Sequence, residues 1–324
     1  RSAGGSSGGA AVALATGMIS IADGSDMMGS LRNPAAWNNV YGMRPSWGLI
    51  PGEPKEDVFL HSLSTNGPMA RNPKDLGLLL SVMSGADHRL PFSMSNENLL
   101  PVHASDLRGK RVGWLNDWGG AFPIEPNLLN ASAAAVQKFS DMGASVELVE
   151  PPFSHAALWE SWITLRSWSM ATSYISYFEN SKLRDQLKPA VVWEIENGLR
   201  LNGLKIHKAS ALRSEWYANA VNMFKVFDVL VLPSTQVWPF PVDQVHPTHI
   251  NDVELDTYHR WMEVVIPASL IGLPVVNVPA GFGDEGLPFG LQLIGAKGQD
   301  AALLSIGQAW HEATDWPKKR PPEL

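Results

Sequence analysis

Ser6 lies in the stretch Gly4-Gly5-Ser6-Ser7-Gly8-Gly9, and 24 residues later Ser30 lies in Gly24-Ser25-Asp26-Met27-Met28-Gly29-Ser30-Leu31-Arg32. Glycine tolerates positive φ and lets a main chain approach a ligand closely. It therefore suits a place where N–H groups converge on a developing oxyanion. Two serines in such turns read as parts of a hydrolase site, with Ser30 as the candidate nucleophile. Its hydroxyl attacks well only when a base takes its proton. Arg32 is placed to pair with Asp26 and brace the loop between them, an exposed ion pair being the alternative reading.

The arrangement resembles the amidase signature family, serine hydrolases that cut carbon–nitrogen amide bonds with a Ser, a second Ser in a cis peptide linkage, and a Lys. Further stretches match in order: Asn33-Pro34-Ala35-Ala36-Trp37, Val40 to Gly48 with its Gly42-Met43-Arg44-Pro45-Ser46 element, Gly67-Pro68-Met69-Ala70-Arg71 with Asp75-Leu76, Gly272-Leu273-Pro274, and Gly290-Leu291-Gln292. The resemblance runs over nearly the whole chain. It implies that Ser30 forms the acyl-enzyme and that Ser6 is the bridging cis serine. It also implies that Met27, Met28 and Gly29 offer oxyanion N–H groups, with Asp26, Arg32 and Ser7 supporting the loop. Ser6 would relay the Ser30 proton to the base and later protonate the leaving amine, since a hydroxyl both accepts and donates. No metal and no organic cofactor are implied.

Two departures qualify that picture. The family's Lys lies upstream of the first glycine-rich turn, and this chain begins at Arg1, three residues before it. The base is therefore expected outside the numbered residues, and neither Lys55 nor Lys74 is assigned the role. The family usually has Gly-Gly before the nucleophile where this chain has Met28-Gly29. A Cβ at Met28 forbids glycine-only geometry, so either the loop tolerates it or activity is low or redirected.

The 324 residues carry a net charge of −7 with scattered basic side chains, which argues against a nucleic-acid partner. Without cysteine there are no disulfides and no thiolate chemistry, and a cytoplasmic location is the default. The longest weakly polar run, Ala10 to Ala22, is too short to span a membrane. A homodimer is left open. His246-x-x-His249 with Asp252 and His259 raises a metal hydrolase as a rival, but the spacing is not that of a helical metal motif. A tRNA-dependent amidotransferase component is a second rival. Leu63-Ser64-Thr65-Asn66 lacks the Asp-Gln usual in that branch, so a freestanding amidase acting on a small amide is preferred. A catalytically silent binding protein is a third.

Periodicity supplies the elements that must hold these residues. A helix over Gly8–Thr16, a short buried strand at Met18–Ala22, and a short helix capped by Asn33-Pro34 surround the serines. Strand–helix–strand order from Arg111 to Val149 implies a parallel pair, and apolar runs at 228–233, 274–279 and 289–294 read as further strands. The fold class is α/β: one amidase-signature-type domain around a central mixed, largely parallel twisted sheet, covered by helices on both faces. Residues 1–324 form the C-terminal major part of that domain, with 153–226 as a helical insertion or cap. Trp238 is the candidate substrate-pocket residue, pointing to an aromatic or otherwise apolar amide.

Overall fold

A computed structural model of the chain describes residues 1–54, 57–95 and 98–322. Among the described residues there are ten strands: β1 (Ile21–Asp26), β2 (Tyr41–Arg44), β3 (Thr65–Ala70), β4 (Arg111–Trp114), β5 (Ser145–Leu148), β6 (Val229–Pro233), β7 (His249–Ile250), β8 (Val253–Glu254), β9 (Val275–Phe282) and β10 (Pro288–Ile294). The helices are α1 (Gly8–Ala15), α2 (Arg32–Trp37), α3 (Pro73–Met83), α4 (Pro126–Val136), α5 (Lys138–Asp141), α6 (His155–Glu179), α7 (Ser181–Arg184), α8 (Pro189–Leu199), α9 (Gly203–Met223), α10 (Ile266–Leu270), α11 (Asp300–Thr314) and α12 (Trp316–Lys319). The chain divides into two compact units, one of residues 1–151 with 221–324, the other Pro152–Ala220.

The first unit is built on an eight-stranded sheet of order β1-β3-β2-β9-β10-β6-β4-β5, flanked by helices. The mixed α/β architecture is as expected, but its balance differs from a largely parallel sheet. Parallel pairing joins only β6 to β4 and β4 to β5; every other pairing in this sheet is antiparallel. The connections explain this. The tight turn at 283–287, closed by Gly283 N–H to the Leu287 carbonyl, is too short for the crossover that a parallel pair needs. Runs of alternating or continuous apolar residues announce strands but not their direction.

The N-terminal elements carry the serines. Helix α1 buries Ala11 and Leu14 against Leu31, Ala35, Val40 and Met69, so one small apolar cluster ties α1, α2 and β3 together. Strand β1 begins at Ile21, not at Met18, and forms an edge of the sheet; Met18 is exposed, so the expected buried strand is displaced by three residues. Helix α2 starts at Arg32 with Leu31 at its N-cap position, and Asn33 lies within the first turn instead of capping it. At α3 the expected cap is present: Asn72 accepts from the Asp75 N–H at 2.9 Å.

The second unit contains helices only, from α6 to most of α9. Helices α6 and α8 come close where Gly198 faces the Ser167 carbonyl and Ala171, and Arg166 pairs with buried Glu194 beside that contact.

Strand β3 approaches β2 so closely at Gly67 that a Cβ there would stand 2.1 Å from the Met43 carbonyl oxygen and 2.7 Å from Leu31 Cδ1. Backbone cannot yield as a side chain can. Gly67→Ala is expected to cost roughly 1–3 kcal/mol through overpacking. Thermal unfolding followed by circular dichroism should show a Tm lower by several degrees, and an unchanged Tm would disprove the close approach.

Candidate active site

Strand β1 ends at Asp26, and the turn that follows carries Ser30 to the start of α2. Gly29 sits at φ +80°, with space for no side chain: a Cβ would stand 2.9 Å from both Asn33 Oδ1 and Val265 Cγ1. The glycine-only conformation therefore falls at Gly29. Met28 is not among the described positive-φ residues, and its side chain is buried. The turn accommodates a Met where the family usually has glycine because the left-handed position is the next residue.

Asp26 is fully buried and organises the turn. Its Oδ1 accepts from the Gly29 N–H at 2.9 Å and from Arg32 Nη2 at 2.8 Å; its Oδ2 accepts from the Leu31 N–H at 3.2 Å and from Arg32 Nε at 3.0 Å. Arg32, also fully buried, extends to the Val265 carbonyl at 3.1 Å, Gln292 Oε1 at 2.6 Å and Ser269 Oγ at 2.6 Å. The pair is thus an interior brace, which settles the choice against an exposed ion pair. Arg44 joins from β2, donating to the Asp26 carbonyl and carboxylate and to the Leu63 carbonyl at 2.9 Å.

The electrostatics follow from burial. Desolvation alone would push the Asp26 carboxyl up, but the charge and hydrogen bonds of Arg32, the charge of Arg44 and the Leu31 N–H outweigh it. The group is held below the usual carboxylate range. Burial pushes Arg44 down; Asp26 raises it again and Arg32 lowers it, leaving it lowered to about 10 and cationic at neutral pH. Two residues beyond the end of β2, Ser46 donates its N–H and hydroxyl to the buried Asp300 carboxylate at 2.8 and 2.6 Å.

The first glycine-rich turn meets the second through the main chain. The Ser7 N–H donates to the Ser30 carbonyl at 3.2 Å, and the Ser7 side chain lies beside Gly24 of β1. The Gly5–Ser6 peptide bond is cis. Ser6 is exposed and Ser30 half-buried, so both can meet a ligand from solvent. Of the three residues expected to offer oxyanion donors, Gly29 turns its N–H inward to Asp26, so its part is to hold the turn.

Trp238 lines a cavity of about 890 Å³ with Phe240, Phe282, Glu125 and Glu285, whose walls include neither Ser6 nor Ser30. The Trp238 N–H donates to the Glu125 carboxylate at 2.8 Å, and its indole packs edge-on to Phe289. The link to the serines is indirect: the Ser2 N–H donates to the Phe240 carbonyl at 2.8 Å, four residues before Ser6. Lys74 lies in the first turn of α3, where its charge acts on His311, and Lys55 lies outside the described residues. Among the described residues, no three His, Cys, Asp or Glu side chains gather as a metal cage.

Sequence reasoning missed Arg44, Ser269 and Gln292. The signal was present: Gln292 interrupts the apolar run of β10 and Arg44 ends the fully buried β2, and a polar group in such a strand requires a buried partner. Replacing Asp26 by Asn leaves two buried guanidinium groups without their counter-charge and is expected to cost about 3–5 kcal/mol in a denaturant titration. Because its folded pKa lies below the unfolded value, the carboxylate's stabilisation is complete above the ordinary carboxylate range. It fades as pH falls through that range, so the wild-type protein should lose more stability on acidification than the Asn variant. Equal acid sensitivity would contradict the buried network.

Residues 1–304 match the amidase family model. The chain is 30% identical to an acylamidase of Rhodococcus erythropolis over 99% of its own length and 67% of that protein's. It is 29% identical to a glutamyl-tRNA(Gln) amidotransferase subunit of Enterococcus faecalis, over 98% of this chain and 68% of that one. A crystal structure of a bacterial aryl acylamidase of the amidase signature enzymes superposes with a TM-score of 0.90 at 28% identity, covering 99% of this chain and 69% of that one. With a family model matching residues 1–304 and an acylamidase 30% identical over nearly the whole of it, this chain belongs to the amidase signature family.

Proposed function

We propose that the chain carries the nucleophile of an amidohydrolase acting on small amides with aromatic or apolar substituents. The observation that supports it most is the junction of the two turns, Ser7 N–H on the Ser30 carbonyl, with Ser30 half-buried at the end of a turn held by Asp26. Ser30 Oγ attacks the amide carbonyl while its proton passes to Ser6, whose own proton goes to the base. The resemblance assigns that base to a lysine. It also assigns main-chain N–H groups of the turn, at Met27 and Met28, to the developing oxyanion. Collapse of the tetrahedral intermediate breaks the C–N bond, Ser6 donates the proton to the leaving nitrogen, and water hydrolyses the acyl ester.

The acylamidase and aryl acylamidase relatives favour hydrolysis over the amidotransferase reading, and Leu63-Ser64-Thr65-Asn66 lacks the Asp-Gln usual in the amidotransferase branch. Among the described residues no helix is long and apolar enough to cross a membrane.

A serine-directed fluorophosphonate should add stoichiometrically to Ser30, read by intact mass and peptide mapping, and Ser30→Ala should abolish both adduct and amide turnover. Turnover that survives in Ser30→Ala sinks the assignment. Trp238→Ala should reorder amides by kcat/KM; an unchanged order removes Trp238 from the substrate path.

A further inference from the structure

Helix α2 touches both glycine-rich turns. A Cβ on Gly4 would stand 3.0 Å from the Pro34 main chain and 3.2 Å from the Trp37 ring, and one on Gly29 would stand 2.9 Å from Asn33 Oδ1 and 3.1 Å from its Cγ. The Asn33 carboxamide thus fills the space that a side chain on Gly29 would need. Its main chain grips the same residue, the Asn33 N–H donating to the Gly29 carbonyl at 2.7 Å. Val265, at the end of the 3₁₀ helix Arg260–Val265, closes the other side, 2.9 Å from the same point.

Two successive polar side chains of α2 are in opposite states. Arg32 commits its five donors to Asp26, Val265, Gln292 and Ser269. Asn33 is equally closed off from solvent, yet among the described residues neither its Nδ2 nor its Oδ1 has a hydrogen-bond partner. A carboxamide can donate twice and accept twice. Burying it with none of these bonds made destabilises the fold relative to an apolar side chain of the same size. The nearby Trp37 and Trp261 indole N–H groups are unpaired too, but they belong to large rings stacked at 5.6 Å, whose burial offsets one lost donor. Asn33 has no such ring. Leucine has nearly its size, so packing against Gly29 alone would be served better by Leu at this position. A buried polar group that weakens the resting fold is expected where function requires it.

We propose, on the reading of Ser30 as nucleophile, that Asn33 is a positioning residue for it: the carboxamide makes its hydrogen bonds with the main chain of the Gly29–Ser30 segment once Ser30 Oγ is bonded to the reacting centre. Asn33 touches no substrate and acts through the turn. Because the carboxamide already lies at contact distance from Gly29, a small shift of the segment on bond formation is enough. A group unpaired in the resting protein and paired in the reacting one favours the second over the first, and that difference speeds the chemical step.

Fluorophosphonate labelling of Ser30 reads this directly: the Oγ–P bond forms, fluoride leaves, and the hydroxyl proton is passed to the base. Asn33→Leu should hold or raise the Tm while the labelling rate at saturating reagent falls about tenfold and the half-saturating concentration stays within about twofold. Asn33→Ala, the smaller variant, should slow labelling similarly. In a Gly29→Ala background it should also restore part of the lost Tm, because it removes one of the two groups in the way of the new Cβ. A role in packing alone predicts unchanged labelling in the folded Leu variant, and that result overturns the proposal, as does strict additivity of the Gly29 and Asn33 changes in Tm. No adduct on wild-type Ser30 overturns the nucleophile reading and this proposal together; an adduct formed equally fast in both Asn33 variants overturns the proposal alone.

Discussion

One buried carboxylate holds the candidate site together. Asp26 receives two main-chain N–H groups of the nucleophile turn and the guanidinium of Arg32, and Arg44 closes on it from β2. A single negative charge faces two positive ones in a region without solvent exposure. The surplus positive charge is offset by oxygen dipoles: the carbonyls of Val265, Leu63 and Asp26 itself, Gln292 Oε1 and Ser269 Oγ. Buried ion pairs are weak contributors to stability when compared with apolar packing, yet removal of one member leaves a stranded charge. Such a network fixes geometry more than it adds stability.

That geometry gathers segments far apart in the chain. The end of β1, the start of α2, β2, the approach to β3, α10 and β10 all place a group on the Asp26–Arg32–Arg44 cluster. The sheet order makes this possible, because β3, β2, β9 and β10 are consecutive neighbours beside β1. A nucleophile turn held in this way has few ways to relax, which is what preorganised electrostatic stabilisation requires of its main-chain donors. It also explains why Gly29 is conformationally indispensable although its N–H points inward.

Legibility in the sequence followed the range of the forces involved. Local patterns were readable: α1 and α3, the Asn72 cap, the β4/β5 parallel pair and the Asp26–Arg32 pairing all depend on residues near each other in the chain. Arg44, Ser269 and Gln292 were not read as partners, since their meeting depends on sheet order, which single-strand patterns do not encode. Asn33 has the chemistry of a cap, but the preceding turn already starts the helix, with the Arg32 and Asn33 N–H groups both donating to the Gly29 carbonyl. The Met18–Ala22 run is apolar but lies at the sheet edge, where burial no longer follows from hydropathy alone.

The position of β1 at that edge has a mechanical consequence. One side of β1 pairs with β3, while Ile21, Asp23 and Ser25 are exposed along its length. An edge strand presents main-chain N–H and C=O groups as a template for another strand, and here the acidic Asp23 is the charge that discourages indiscriminate pairing. The same six residues end in Asp26. Any polypeptide that adds to this edge pulls or twists the strand whose last residue anchors the nucleophile turn, so the sheet margin and the chemistry share one lever.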